Sequence, residues 1–212
     1  MVAFAIEPKE TAVLAIDLQN CFVENSPFAV PSGLEVAAKL NVLTAHYRAA
    51  GSTVIWIRHA VRPDHCDVGI LGQTMPPVGQ GMIDEGTTSA ALHPKVAVRA
   101  GDIVLPKRHF GAFHGTTLET ILRSRRIDTV VIGGITTNVC CETTAREAHA
   151  REFKVLFLKD GTGTFDLPDI AGGRIPAEQV QRVSLATLAF GFAEVLTVDD
   201  ACAKLDRIPA TE

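Results

Sequence analysis

Six short runs rich in Val, Ile and Leu punctuate this chain, at Thr11–Asp17, Ser52–Arg58, Asp102–Pro106, Asp128–Ile132, Phe153–Leu158 and Ala193–Val198. Their interiors are apolar almost without interruption, whereas a strand with one wet face alternates polar and apolar residues. Such runs are stable only in a sheet covered on both sides. The cover lies between them, in helical patterns at Leu34–Ala50, Thr116–Arg126, Cys140–Arg151 and Ala177–Phe190. In the first of these, Leu34, Ala37, Ala38, Val42 and Ala45 share a helical spacing and Gly51 marks the C-terminal end. Strands alternating with helices predict an α/β fold: a doubly wound, mainly parallel six-stranded sheet with helices on both faces.

The rest of the chain bounds what that fold can serve. At 212 residues, with no linker, repeat or low-complexity tract, residues 1–212 are expected to form a single domain. Hydrophobic residues make up 47% and charged residues 21%, which excludes a disordered chain or a coiled coil. The formal net charge is −4 and no block of like charge occurs, so neither nucleic acid nor a membrane is expected as a partner. The N-terminus lacks the basic start and apolar stretch of a secretion signal, and no run of about 18 apolar residues exists. A cytoplasmic protein is the expectation. Five cysteines, an odd number without zinc-ligand spacing, predict free thiols. Two stretches fall outside the pattern, about Pro63 to Pro94 and Gly161 to Pro176. A long irregular loop in a compact domain commonly closes a site or meets another subunit.

Ligands of open parallel sheets lie beyond the carboxyl ends of the strands, and three residues with useful chemistry fall there. Asp17 closes the first strand among apolar neighbours, which raise a carboxylate's pKa and let it accept a proton near neutrality. Lys107 ends the third strand. Cys140 follows Gly133-Gly134-Ile135-Thr136-Thr137-Asn138-Val139 at the expected first turn of a helix, where unpaired N–H groups and the helix dipole favour a thiolate. Singly, these residues also fit plainer roles: Asp17 as a turn cap, Lys107 as a solvated lysine, Cys140 as a small core residue. Brought to one sheet edge, they supply a base, a cation and a nucleophile, as covalent hydrolysis of a carbonyl needs. Cys141, about 100° further round the helix, reads as core, as do Cys21, Cys66 and Cys202.

Three motifs in order, Ala15-Ile16-Asp17-Leu18-Gln19-Asn20 with Phe22, Pro106-Lys107 with Phe113, and Gly134-Ile135-Thr136-Thr137-Asn138-Val139-Cys140, resemble the isochorismatase-like cysteine hydrolases. That family contains nicotinamidases, N-carbamoylsarcosine amidohydrolase, biuret hydrolases and ureidoacrylate amidohydrolases, and the resemblance runs from about Lys9 to Asp200. It implies a catalytic triad of Asp17, Lys107 and Cys140, a cis peptide bond between Ile135 and Thr136, and an oxyanion hole from the backbone N–H groups of Thr136 and Cys140. The implied reaction is cleavage of a C–N bond in a small linear amide, carbamoyl or ureido compound, through a thioester and without a cofactor. A homodimer or homotetramer is implied as well.

Departures from the family narrow this expectation. The metal-binding Asp-x-His of the nicotinamidases is missing, since Asp64 and His65 are adjacent, so no metal is expected. Isochorismatases that split a vinyl ether typically carry another residue at the position of Cys140, which favours C–N hydrolysis over the alternative of an ether or ester hydrolase. A non-catalytic binding protein of the same fold is the remaining alternative. For the substrate, Phe22, Phe110 and Phe113 are expected as pocket walls. Asn20 is a further expected contact. Arg58, His59, Arg108 and His109 are candidate partners of a substrate carboxylate.

Overall fold

The computed structural model describes residues 2–206, and in it the six apolar runs become six strands of one sheet. These are β1 (Thr11–Ile16), β2 (Thr53–His59), β3 (Ile103–Lys107), β4 (Thr129–Ile135), β5 (Lys154–Gly163) and β8 (Glu194–Leu196). Their order is β3-β2-β1-β4-β5-β8 and every pairing is parallel. The chain winds outward from β1 to β3, then returns to start β4 on the other side of β1. The switch in winding direction therefore falls between β1 and β4, where a crevice opens at the strand ends.

Alternation along β1 builds two cores. Ala12, Leu14 and Ile16 pack on one face with Leu118 and Leu122 of α5 (Leu118–Ser124), Ala145 and Ala148 of α6 (Glu142–His149) and Leu188 of α7 (Ala177–Gly191). Val13 and Ala15 pack on the other with Val36, Leu40 and Leu43 of α2 (Gly33–Ala49) and with Ala201 and Leu205 of α8 (Val198–Asp206). Both sheet faces are covered, which is why the strands carry no polar stripe.

Close approach of β4 to β1 rests on glycine. Gly134 has φ +130°, and a Cβ there would sit 2.0 Å from the Ile16 carbonyl oxygen, well inside van der Waals contact. Any larger residue would push apart the two strands that frame the crevice.

The helices begin and end within a few residues of the predicted spans, with one exception. The stretch expected as a helix from Cys140 to Arg151 opens as a wide π-type turn, Thr137–Cys141, before α6 starts at Glu142. Several elements were missed, most of them too short to show a period. They are α1 (Asn20–Val23), a two-stranded antiparallel ribbon of β6 (Leu167–Pro168) and β7 (Arg174–Ile175), and α8. The stretch expected as irregular, 63–94, holds two short helices, α3 (Leu71–Thr74) and α4 (Pro76–Gly79). It also builds a small core of its own, in which Leu71, Val78, Ile83 and Ala90 pack with Cys21 and Val61. Its apolar residues lie among Gly and Pro at spacings that match neither a helix nor a strand, so no period can be read from them. Among the described residues, no helix is long and apolar enough to cross a membrane.

Candidate active site

Asp17, Lys107 and Cys140 meet at the β1/β4 crevice. Asp17 is the first residue past β1, with a left-handed backbone (φ 52°) that turns the chain out of the sheet and into α1. Its N–H still donates to the Ile57 carbonyl at 2.8 Å, so the turn is anchored to β2. Lys107 is the last residue of β3, two strands from β1, and its long side chain crosses the end of β2 to reach the crevice. Its Nζ lies 2.8 Å from Asp17 Oδ2 and 3.5 Å from Cys140 Sγ, and donates to the His109 carbonyl at 3.0 Å. Asp17 is 1% exposed, Lys107 0% and Cys140 7%. This is a nearly dry cluster, in which each charge acts strongly on its neighbours.

The cysteine loop is held from several sides. The Ile135–Thr136 peptide bond is cis. Thr144 of α6 donates its hydroxyl to the Cys140 carbonyl at 2.7 Å and accepts the Ala112 N–H at 3.1 Å. Thr164 donates its hydroxyl to the Asn138 side-chain oxygen at 2.6 Å. Gln19 locks the opposite wall: its amide nitrogen donates to the carbonyls of His59 and Ala90, both at 2.8 Å, and its amide oxygen accepts the His59 N–H at 2.6 Å. Gln19 belongs to the first sequence motif, yet nothing in the sequence shows that its partners lie 40 and 71 residues away.

Burial governs the electrostatics. It pushes the Asp17 carboxyl above its ordinary value, and the Lys107 ammonium only partly reverses this. At Lys107, burial alone would lower the pKa, but the two acidic groups beside it, Asp17 and Cys140, outweigh that and raise it, so the ammonium persists. Both partners of the pair thus move upward. For the carboxylate we attribute this to lost hydration that one cation does not replace. Among the described residues, neither Asp17 oxygen has an aligned hydrogen-bond partner, the ammonium approaching at ion-pair distance but off the bonding direction.

Burial also raises the Cys140 thiol, more than Lys107 lowers it. This works against the thiolate that a helix start was expected to favour. Cys140 sits inside the π-type turn, in surroundings too dry to stabilise an anion through the turn's N–H groups alone. Cys141 is fully buried against the core, as its spacing suggested.

The pocket in front of Cys140 is narrow, about 60 Å³, and its walls come from five places. Phe22 and Phe28 follow β1, Phe110 follows β3, Val139 and Thr136 belong to the cysteine loop, and Phe165 follows β5. Met75, Val78 and Met82 enter from the 63–94 loop. Phe28 and Phe165 meet edge to face, with centroids 6.4 Å apart. His59 lies at the pocket's edge against Phe110, centroids 6.1 Å apart, with Nε2 3.1 Å from the Arg108 carbonyl. Burial and the nearby Lys107 hold its ring well below the usual histidine pKa, and so neutral.

Of the residues named from sequence as substrate contacts, Phe22 and His59 line this pocket, and Phe113 and Asn20 do not. Phe113 turns its ring into the core against Phe153, with Arg151 stacked upon it. Asn20 spends its amide on the Thr88 carbonyl, tying α1 to the 63–94 loop. Phe28, Met75, Val78, Met82 and Phe165 were missed because loops deliver them.

Asp17, His59 and Cys140 bring an oxygen, a nitrogen and a sulfur within 4.8 Å of one another, a donor set some transition metals accept. Lys107 already holds that carboxylate and opposes a second cation beside it. His65 pairs with Asp84 at 2.9 Å and Asp64 with Arg62, so the two residues at the family's metal position are otherwise engaged.

A parallel sheet presenting a buried cysteine, carboxylate and lysine at its switch point defines a cysteine hydrolase of the α/β class. The Isochorismatase domain model matches residues 11–200, and the chain belongs to that family. A ureidoacrylate amidohydrolase, RutB, from Methylorubrum extorquens is 32% identical, with 81% of this chain and 77% of that protein covered. The crystal structure of a cysteine hydrolase from Pseudomonas syringae pv. phaseolicola 1448A is 35% identical and superposes with a TM-score of 0.93, over 97% of this chain and 96% of that one. An isochorismatase family protein from Desulfovibrio vulgaris follows at 26% identity and a TM-score of 0.80, covering 93% and 99%.

Proposed function

We propose that this chain is an amidohydrolase that cleaves the C–N bond of a small linear amide, carbamoyl or ureido compound through a thioester on Cys140. The observation that carries the reading is the Lys107 ammonium, 2.8 Å from Asp17 and 3.5 Å from Cys140 Sγ, in a cluster almost free of solvent. The RutB relative, a ureidoacrylate amidohydrolase by name, supports the bond type.

In this mechanism Asp17 takes the Cys140 proton as the sulfur attacks the carbonyl carbon, and the N–H groups of Thr136 and Cys140 hold the oxyanion. Asp17 then protonates the departing nitrogen, the C–N bond breaks, and ammonia or an amine leaves a thioester behind. Water enters, gives a proton to Asp17 and adds its oxygen to the acyl carbon. The S–C bond breaks and Cys140 recovers its proton. A raised Asp17 pKa makes it the stronger base, and a raised thiol pKa means that the proton moves only when a carbonyl is present. Lys107 offsets the negative charge that passes between oxygen and sulfur.

Ammonia release from a panel of amides and ureides, with Cys140→Ala as the control, tests the reading. Intact-protein mass spectrometry of a rapidly quenched reaction should show an acyl adduct on Cys140. Turnover of an ether or ester substrate alone, with no ammonia above the Cys140→Ala background, would sink it.

A further inference from the structure

Among the described residues, no cationic side chain lines the pocket to receive a substrate's negative charge. Its walls are Phe, Met and Val from five segments, and its polar groups are Asp17, Thr136, Cys140 and a neutral His59. The cations that the sequence offered to a substrate carboxylate are all spent elsewhere. Arg58 donates to Glu85 at 2.5 Å. Arg108 pairs with Asp67, lies 3.9 Å from Glu85, and donates to the Ala60 carbonyl. His109 stacks edge to face on His114, centroids 4.7 Å apart, and neither ring lines the pocket. Lys107 is fully buried behind Asp17 and Cys140. Among the described residues, the one formal charge that faces the pocket is the Asp17 carboxylate, which repels an anion.

Building on the amidohydrolase reading, we infer that the acyl portion of the substrate is small, uncharged and apolar, and that this pocket excludes carboxylate-bearing amides and ureides. Size points the same way. A cavity of about 60 Å³ matches the liquid volume of about two waters, which suits a short aliphatic chain. A carboxylate placed among these Phe and Met side chains loses its hydration and gains no partner, a large penalty for any anion. The arrangement is one of specificity by exclusion, since a neutral chain gains contact where a charged one finds only apolar wall.

Two matched pairs test this with the full chain. Butyramide and succinamate differ by a carboxylate in place of a methyl group, as do N-propylurea and 3-ureidopropionate. In at least one pair the neutral member should show a kcat/KM at least about 100-fold higher, the scale of an unpaired buried charge. Equal rates, or preference for the charged member, would overturn the inference and leave the amidohydrolase reading standing. A readout independent of turnover is alkylation of Cys140 by iodoacetamide against iodoacetate, each rate normalised to free N-acetylcysteine. A normalised preference for iodoacetamide of about tenfold or more supports an anion-excluding pocket even if no ammonia is released, in which case the amidohydrolase reading fails alone; a ratio near one overturns the inference. In Met75→Arg, a cation at the pocket wall should raise the rate on the charged member about tenfold or more, and an unchanged neutral-to-charged ratio would count against exclusion by charge.

Discussion

The strand-end cluster and the 63–94 loop face each other across the same pocket, and they are built in opposite ways. Asp17, Lys107 and Cys140 stand at or beside strand ends, are almost fully buried, and are fixed by contacts to buried backbone and side-chain groups. The loop supplies Met75, Val78 and Met82 from in and around two short helices, and is tied down by its own small apolar core, by backbone bonds to Asn20, Cys21 and Val61, and by partly exposed ion pairs such as Arg108 with Asp67 and Arg58 with Glu85. Bond-making groups sit on the rigid half, where a small displacement would be costly. Flexible apolar groups sit on the half that can be rebuilt without disturbing the sheet. On the proposed reading, the reacting groups come from the strand ends, while part of the pocket wall comes from a separate loop.

That division can be attacked from either side, and the largest effect is expected at the nucleophile. Cys140→Ala or Asp17→Asn should lower kcat by about 10⁴-fold or more, since removing either member of a cooperating unit disables the whole. Circular dichroism and thermal melting would show whether the fold survives. Lys107→Met should cost less, about 10²- to 10³-fold in kcat with little change in KM, because it removes charge balance and leaves nucleophile and base in place. A large rise in KM instead would move Lys107 to the substrate-binding half of the comparison.

Gln19 joins the two halves, bonding both His59 of β2 and Ala90 of the loop. Gln19→Ala leaves buried backbone groups without partners and should destabilise the fold by about 1–3 kcal/mol, while kcat/KM falls about tenfold. Chemical denaturation and steady-state kinetics on one preparation would check both. At the small end, Glu85→Gln weakens the half-exposed pairs of the loop. It should shift stability by no more than about 0.5 kcal/mol, change KM two- to threefold, and leave kcat alone. A fall in kcat as large as that of Lys107→Met would erase the distinction between the halves.

The pH profile probes the rigid half alone. Asp17 must begin ionised to accept the thiol proton, so kcat/KM should fall as pH drops through its pKa. Burial raises that pKa, which places the midpoint of the acid limb above the ordinary carboxylate value of 3.8. A profile flat down to pH 4 would remove Asp17 from the role of base.

How far the sequence reaches differs between the same two regions. Val- and Ile-rich runs fall within a few residues of the observed strands because burial on both faces leaves a local, period-free mark in the residues themselves. Asp17 and Lys107 could be placed at strand ends for the same reason, whereas the tight β1/β4 contact that Gly134 makes was not read from the glycine pair before Cys140. The pocket was far less legible. Phe28 and Phe165 are 137 positions apart in the chain and meet only because β1 and β5 end on the same side of the sheet. Phe113, placed by its motif as a pocket wall, packs into the core against Phe153 instead.

By itself, then, the sequence determined the alternation of strand and helix, and hence the α/β sheet and the edge at which Asp17, Lys107 and Cys140 emerge, since these follow from local apolar continuity and chain order. Only the tertiary structure decided that burial pushes the Cys140 thiol upward, that Arg58 and Arg108 are spent on Glu85 and Asp67, and that the pocket is lined by methionine and phenylalanine from distant loops. Desolvation, ion pairing and cavity shape are sums over neighbours brought together from across the chain, and no local stretch of sequence carries them.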